Sequence, residues 1–183
     1  EIGMKDVFIP KSQAQDPVSK LWQWVPDWVR KRLPINLNRD MNRTPMQWTG
    51  GENAGFCPPK AVPWLPINEA DKHEHNVETQ SAAPGSLFNV YRTLLKLRRE
   101  LPPLHAGTLT LLEALPPNVL GYERHRDDQT VLILINFRKR AATVSLERDA
   151  DLLFGTVEEV RVDGCNAFLS AQSALVARYS ANA

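Results

Sequence analysis

Prolines at positions 34, 45, 58, 59, 63 and 66 punctuate the stretch from residue 34 to 83. Each removes a backbone donor and clashes with a preceding helical turn. Their spacing predicts an irregular segment with no long element. A stretch of that kind inside a folded chain is often functional. Fourteen prolines against nine glycines raise the question of disorder, which five Trp and six Phe answer in favour of packed structure. The 183 residues suit one domain, or one domain with an appendage. With 43% apolar and 23% charged residues the chain has an ordinary globular composition.

Lys and Arg number 22 against 21 Asp and Glu, a formal net charge of +1. This balance argues against a basic nucleic-acid-binding surface and against an acidic tail. Cys57 and Cys165 provide neither a disulfide framework nor a zinc ligand set, and both are expected as buried free thiols. No apolar run has transmembrane length, and no signal-type segment opens the chain. A cytoplasmic location is expected. The chain opens on Glu1 rather than Met, which suggests a fragment or a processed product.

The character of the sequence changes near residue 104. Before it, residues 16–33 form one helix candidate. Asp16 can cap, Pro17 suits the first turn, and Leu21, Trp22, Val25, Trp28 and Val29 recur at helical spacing. Pro26 should kink or split that helix, and both Trp should be buried. Residues 84–101 are the clearest helix, with Ser86 as N-cap. The stripe is Leu87, Val90, Tyr91, Leu94, Leu95, Leu97 and Leu101, with Lys96, Arg98 and Arg99 near the C-terminus. Pro102-Pro103 ends it.

Short strands are expected beyond. They are Thr108–Ala114, Val119–Arg126, Thr130–Phe137, Ala142–Leu146, Thr156–Val162, Ala167–Leu169 and Ser173–Tyr179. Both faces of the third are apolar, which suits a central strand. Strands this short, divided by turns, predict an antiparallel β-sandwich.

The stretch Asn38-Arg39-Asp40-Met41-Asn42-Arg43-Thr44-Pro45-Met46-Gln47-Trp48 is dense in bond-forming side chains. It suggests a loop over a ligand-lined surface. Arg39 and Arg43 can fork onto carboxylates or sugar hydroxyls, or only hold the loop. His73-Glu74-His75 lacks a third metal ligand and reads as a solvated loop. Asp127-Asp128-Gln129 reads as a hairpin turn rather than a calcium site. Asn42-Arg43-Thr44 fits the glycosylation pattern but is not expected to be modified. Arg138-Lys139-Arg140 reads as a solvated turn.

The run Arg39 to Trp48, followed by Asn53-Ala54-Gly55-Phe56, resembles a signature of α-glucosidases in glycoside hydrolase family 13, the α-amylase family. Pro63-Trp64-Leu65-Pro66-Ile67-Asn68 and Asn76-Val77-Glu78-Thr79-Gln80 are similar to text downstream in those enzymes. Ser86 to Arg99 resembles their last barrel helix. Glu1-Ile2-Gly3-Met4 resembles the exit of the eighth barrel strand, and Lys5 to Pro17 the loop after it. The likeness runs from residue 1 to about 135 and is pattern-level beyond.

The resemblance implies an α+β fold. Residues 1–103 would be the end of a (β/α)8 barrel, its last loop and helix. Residues 104–183 would be the C-terminal antiparallel β-sandwich domain. A whole barrel takes about 250 residues. The resemblance further implies a retaining α-glucosidase acting on short glucose-containing oligosaccharides, with paired catalytic carboxylates. Their motifs are not found in these residues, so no catalytic residue is expected here and the isolated chain should be inactive. It places Arg39 at the bottom of the glucose pocket, paired with a carboxylate from an early loop of the enzyme. Arg43 would lie at the outer pocket or brace the loop. No cofactor, metal, nucleic acid or membrane partner is expected. The rival readings are a self-associating module that buries the Trp22/Trp28 and Leu87–Leu101 helices, and part of a trehalose synthase-type glucosyltransferase. A sugar-binding module ranks last, since Tyr122, Phe137, Phe154, Phe168 and Tyr179 lie mostly on apolar-patterned strands.

Overall fold

Buried side-chain amides bridge separate segments in the first part of the computed structural model, which describes residues 1–10, 12–21, 24–32 and 38–180. The chain divides into two units, Glu1–Asn89 and Val90–Ala183.

In the first unit the elements are short: helices α1 (Pro17–Leu21), α2 (Asp27–Arg30) and α3 (Val77–Ala82), with single 3-10 turns at Arg39–Asn42 and Glu52–Gly55. Such backbone cannot pair its own polar groups in ladders, so buried side chains do it. Asn76 is fully buried. Its Nδ2 donates to the Lys72 carbonyl at 2.7 Å, and its Oδ1 caps α3 by accepting from the Thr79 amide at 2.8 Å. Gln80 donates to the Ile2 carbonyl at 2.7 Å and accepts from the Phe88 amide at 3.1 Å. Ile2, Ile9 and Leu65 supply the apolar core around this scaffold.

Pro26 divides the first helix candidate as its ring requires, standing as the N-cap of α2. Trp22 and Leu33 lie outside the described residues. Trp28 departs from expectation. It is 64% exposed, with the Arg32 guanidinium 5.9 Å from its ring. The expected irregular stretch 34–83 does contain α3 and two 3-10 turns. Neither thiol is buried: Cys57 is half-buried, and Cys165 is exposed and lies 3.1 Å from an Asp149 carboxylate oxygen.

Helix α4 (Leu87–Glu100) opens at Ser86, whose Oγ accepts from the Asn89 amide at 3.2 Å. The second unit begins within α4 and continues through α5 (Pro102–Ala106) into eight strands. These are β1 (Thr108–Leu111), β2 (Val119–Arg126), β3 (Gln129–Asn136), β4 (Ala142–Ser145), β5 (Ala150–Gly155), β6 (Arg161–Asp163), β7 (Asn166–Leu169) and β8 (Ala174–Tyr179). They form two antiparallel sheets, β1-β2-β3-β8-β5 and β4-β7-β6. The hairpin at Asp127-Asp128 joins β2 to β3 with Arg126 opposite Gln129, and Asp127 takes a left-handed φ of 54°.

Strand β3 is central, as its two apolar faces require. Leu132 and Leu134 meet Val144, Ala167 and Leu169 of the smaller sheet in one core. Val131 and Ile133 face the other way, against Leu101 and Leu104. The expected strand Thr156–Val162 is replaced by β5 before it and the three-residue β6 at its end. The chain between them turns, with Val160 buried.

Candidate functional site

The signature loop is built on a buried acid. Asn38 starts the 3-10 turn by accepting from the Asp40 amide at 3.0 Å. This turns the Asp40 carboxylate inward, where it is fully buried. One carboxylate oxygen accepts from the amides of Gln15 and Asp16 at 2.6 and 2.8 Å. The other accepts from Arg43 at 2.6 Å. Asp40 therefore fastens the Gln15-Asp16 segment to the Arg39–Arg43 loop.

Asp16, 1% exposed, carries the second half of the clamp. Its Oδ1 receives Nη2 and Nε of Arg39 at 2.9 and 3.3 Å, with Arg43 3.7 Å away. Its Oδ2 is buried without a hydrogen-bond partner among the described residues. The Arg39 guanidinium holds the Asp16 carboxyl below its usual range, against the opposing effect of burial. The same bond raises the Arg39 pKa, so the guanidinium stays charged. Both arginine side chains remain open to solvent, 68% for Arg39 and 48% for Arg43. Arg39 reaches Asp16 through Nε and Nη2, which leaves the Nη1 edge of a charged guanidinium beside the paired carboxylate.

The far end of the loop is anchored to α3. The Val77 and Glu78 amides donate to the carbonyls of Gln47 and Trp48, each at 3.0 Å, and Gln47 Nε2 donates to the His75 carbonyl at 2.6 Å. Ala54 and Asn53 both sit at φ 48°, and the Ala54 carbonyl accepts from the amides of Trp48 and Thr49. Beside the loop is a cavity of about 440 Å³, lined by Met4, Met41, Met46, Asn42 and Thr44 among others.

Arg39 and Arg43 thus converge, as their spacing in one loop suggests, but the carboxylates that hold them come from this chain. In this chain Arg39 pairs with Asp16, a residue read from the sequence only as a helix cap. Asp40 was not singled out. Its signal is the three-residue spacing to Arg43, one turn of helix. In the histidine pair, His75 Nδ1 lies 2.7 Å from the buried Asp71, which also takes the Lys5 ammonium at 3.3 Å. Burial pushes the Asp71 carboxyl up, but the Lys5 amide, the Lys5 ammonium and His75 outweigh it and hold it below its usual range. No group of three or more His, Cys, Asp or Glu that could hold a metal ion occurs among the described residues.

Residues 1–107 match the family described as alpha amylase, catalytic domain, and the chain belongs to that family. It is 34% identical over 155 residues to the oligo-1,6-glucosidase of Parageobacillus thermoglucosidasius, covering 80% of this chain and 27% of that one. It is 37% identical over 147 residues to the oligo-1,6-glucosidase of Halalkalibacterium halodurans, covering 76% of this chain and 26% of the relative. The fold is similar to that of the alpha-glucosyl transfer enzyme XgtA, with TM-score 0.75 and 26% identity, over 98% of this chain and 31% of that one. The chain therefore spans about a quarter of the curated relatives' length.

Proposed function

We propose that these residues supply the substrate-side loop, last barrel helix and C-terminal β-sandwich of a retaining α-glucosidase acting on short glucose-containing oligosaccharides. Residues 1–103 are the barrel portion and 104–183 the sandwich domain. The observation that carries this reading is the Arg39–Asp16 and Arg43–Asp40 clamp within the family's signature. Arg39 binds the hydroxyls of a terminal glucose with the donors that Asp16 leaves free, and Arg43 supports the loop at the outer pocket. The carboxylate pair that retaining chemistry needs is supplied from outside these residues, so the 183-residue chain is catalytically inactive by itself. It acts in the cytoplasm. Leu21 and Trp28 on α1 and α2, and Tyr91 and Leu95 on α4, are exposed and make it self-associate when alone.

The chain is assayed on p-nitrophenyl α-glucoside and maltose. No turnover is expected. Turnover above background that survives Arg39→Ala and repurification overturns the inactive reading. Glucose titrated against the arginine side-chain NMR signals should shift Arg39, and an unchanged spectrum removes its binding role. Light scattering that gives a monomer at high concentration removes the self-association. Glucosyl transfer in place of hydrolysis is the second reading, favoured by the likeness to XgtA. Product analysis with an added sugar acceptor separates the two in any active assembly containing this segment.

A further inference from the structure

We infer that the β-strand part of the second unit carries a binding cleft for a small organic ammonium compound with an apolar body. The cleft measures about 510 Å³ and lies wholly within the second unit. It is walled by the segment 112–116, which follows β1, and by β4, the edge strand of the smaller sheet, with the residues after it. Cavities of this size take small molecules when they are mostly apolar and carry a few polar groups that orient the ligand. The floor is apolar and ordered. Tyr179 belongs to the core between the sheets, and Leu112, Leu115 and Leu146 pack against that core. Leu112 and Leu115 settle where Gly121 has no side chain: a Cβ there would lie 3.1 and 2.7 Å from their Cδ1 atoms. The Tyr179 ring is held by its phenol, which donates to Glu123 at 2.7 Å. An apolar body set on this floor leaves water at a gain that grows with the area covered.

The rim is acidic. The charged residues that line the cleft are Glu113 and Glu147, both exposed carboxylates. Neither has an ion-pair partner among the described residues. Beside them, Glu123 accepts from the Tyr179 phenol, and the Arg148 guanidinium stands 4.4 Å from the Tyr179 ring. Arg148 offsets one of these three carboxylates and leaves the rim with an excess of negative charge. Like charges set near one another are relieved by a cation placed between them. An anionic ligand is repelled at this rim, and a neutral one gains only the floor. An ammonium group joined to an apolar body uses both.

Phenethylammonium is titrated at millimolar concentration into the full chain and followed by two-dimensional NMR, reading the backbone amides of residues 112–116 and 143–147. Saturable shifts at those amides are expected. Phenethyl alcohol keeps the body and lacks the charge; it should bind about tenfold more weakly, since two exposed ion pairs are lost. Hydrocinnamate, an anion with a similar body, should shift nothing. Glu113→Gln and Glu147→Gln should each weaken the ammonium compound about threefold. Both side chains are exposed, so a well-dispersed spectrum should be retained in each variant and in the pair combined. Added sodium chloride should weaken binding to wild type more than to the double variant. The site is overturned if phenethylammonium moves no amide in these two segments. Equal binding of the alcohol, or unchanged binding of the ammonium compound by the double variant, overturns it as well.

Discussion

Arg39 grips a single oxygen of Asp16 with two of its nitrogens, at 2.9 and 3.3 Å. The acid is buried and the base is open to solvent. This asymmetry makes the clamp an acid-sensitive fastening with a solvent-facing charge.

The Asp16 carboxyl is held below its unfolded-state value of about 3.9, first by the Arg39 hydrogen bond. Protons therefore bind the unfolded chain more readily than the folded one. The contribution is fully present above pH ~4 and is lost as pH falls through the folded value. Asp71, also lowered, acts in the same direction. Amide exchange in the segments around Gln15 and Asp40 should stay slow down to pH ~4 and accelerate below it. In Asp16→Asn that acid component should diminish.

Asp40→Ala should destabilise the first unit by about 2–4 kcal/mol, because it strands the amides of Gln15 and Asp16 and releases Arg43. Asp40→Asn keeps an acceptor and should cost less. Urea denaturation read on first-unit NMR signals checks the order of the two.

Leu134 is fully buried on the face of β3 that meets the smaller sheet. Leu134→Ala should cost about 2–5 kcal/mol. Gly121→Ala should also destabilise, since an added Cβ would lie 2.7 Å from Leu115 Cδ1 and 2.8 Å from Leu134 Cδ2. Its cost from overpacking is about 1–3 kcal/mol. Making both changes together should give less than the sum, because the first empties part of the space the second needs. Thermal unfolding of the three variants tests this.

Tyr179 donates its phenol to Glu123 at 2.7 Å, under the Arg148 guanidinium at 4.4 Å. Burial, then Glu123, pushes the phenol well above its ordinary value. The neutral form is the one the fold holds, so its stabilisation persists below pH ~10 and fades as pH rises through the folded value. A late tyrosinate absorbance at alkaline pH should therefore accompany unfolding and vanish in Tyr179→Phe. That variant should lose about 1 kcal/mol at neutral pH.

The parts legible in the sequence are those where one physical rule acts alone. Ser86 ahead of a helical stripe is such a case, and so is β3 with its two apolar faces. β5 was hidden because its pairing with β8 shifts register between Leu152 and Phe154. A bulge of that kind breaks the alternation a strand is recognised by. α3 was hidden because its buried side chain is Gln80, a polar residue. It has no apolar stripe, and its place is set by long-range bonds. Trp28 misled because helical spacing says which residues share a face and not whether anything covers it. At the site, both arginines were evident as forks, while Asp16 and Asp40 were not. Their role depends on two loops meeting 24 residues apart.

Gln80 joins residues 2 and 88 by its two ends, and 78 positions separate it from Ile2. In the order of synthesis, the Ile2 carbonyl thus waits for most of the unit to emerge before its partner exists. The bond spans nearly the whole length of the unit, so the loss of one side chain, Gln80, would release the backbone at both Ile2 and Phe88.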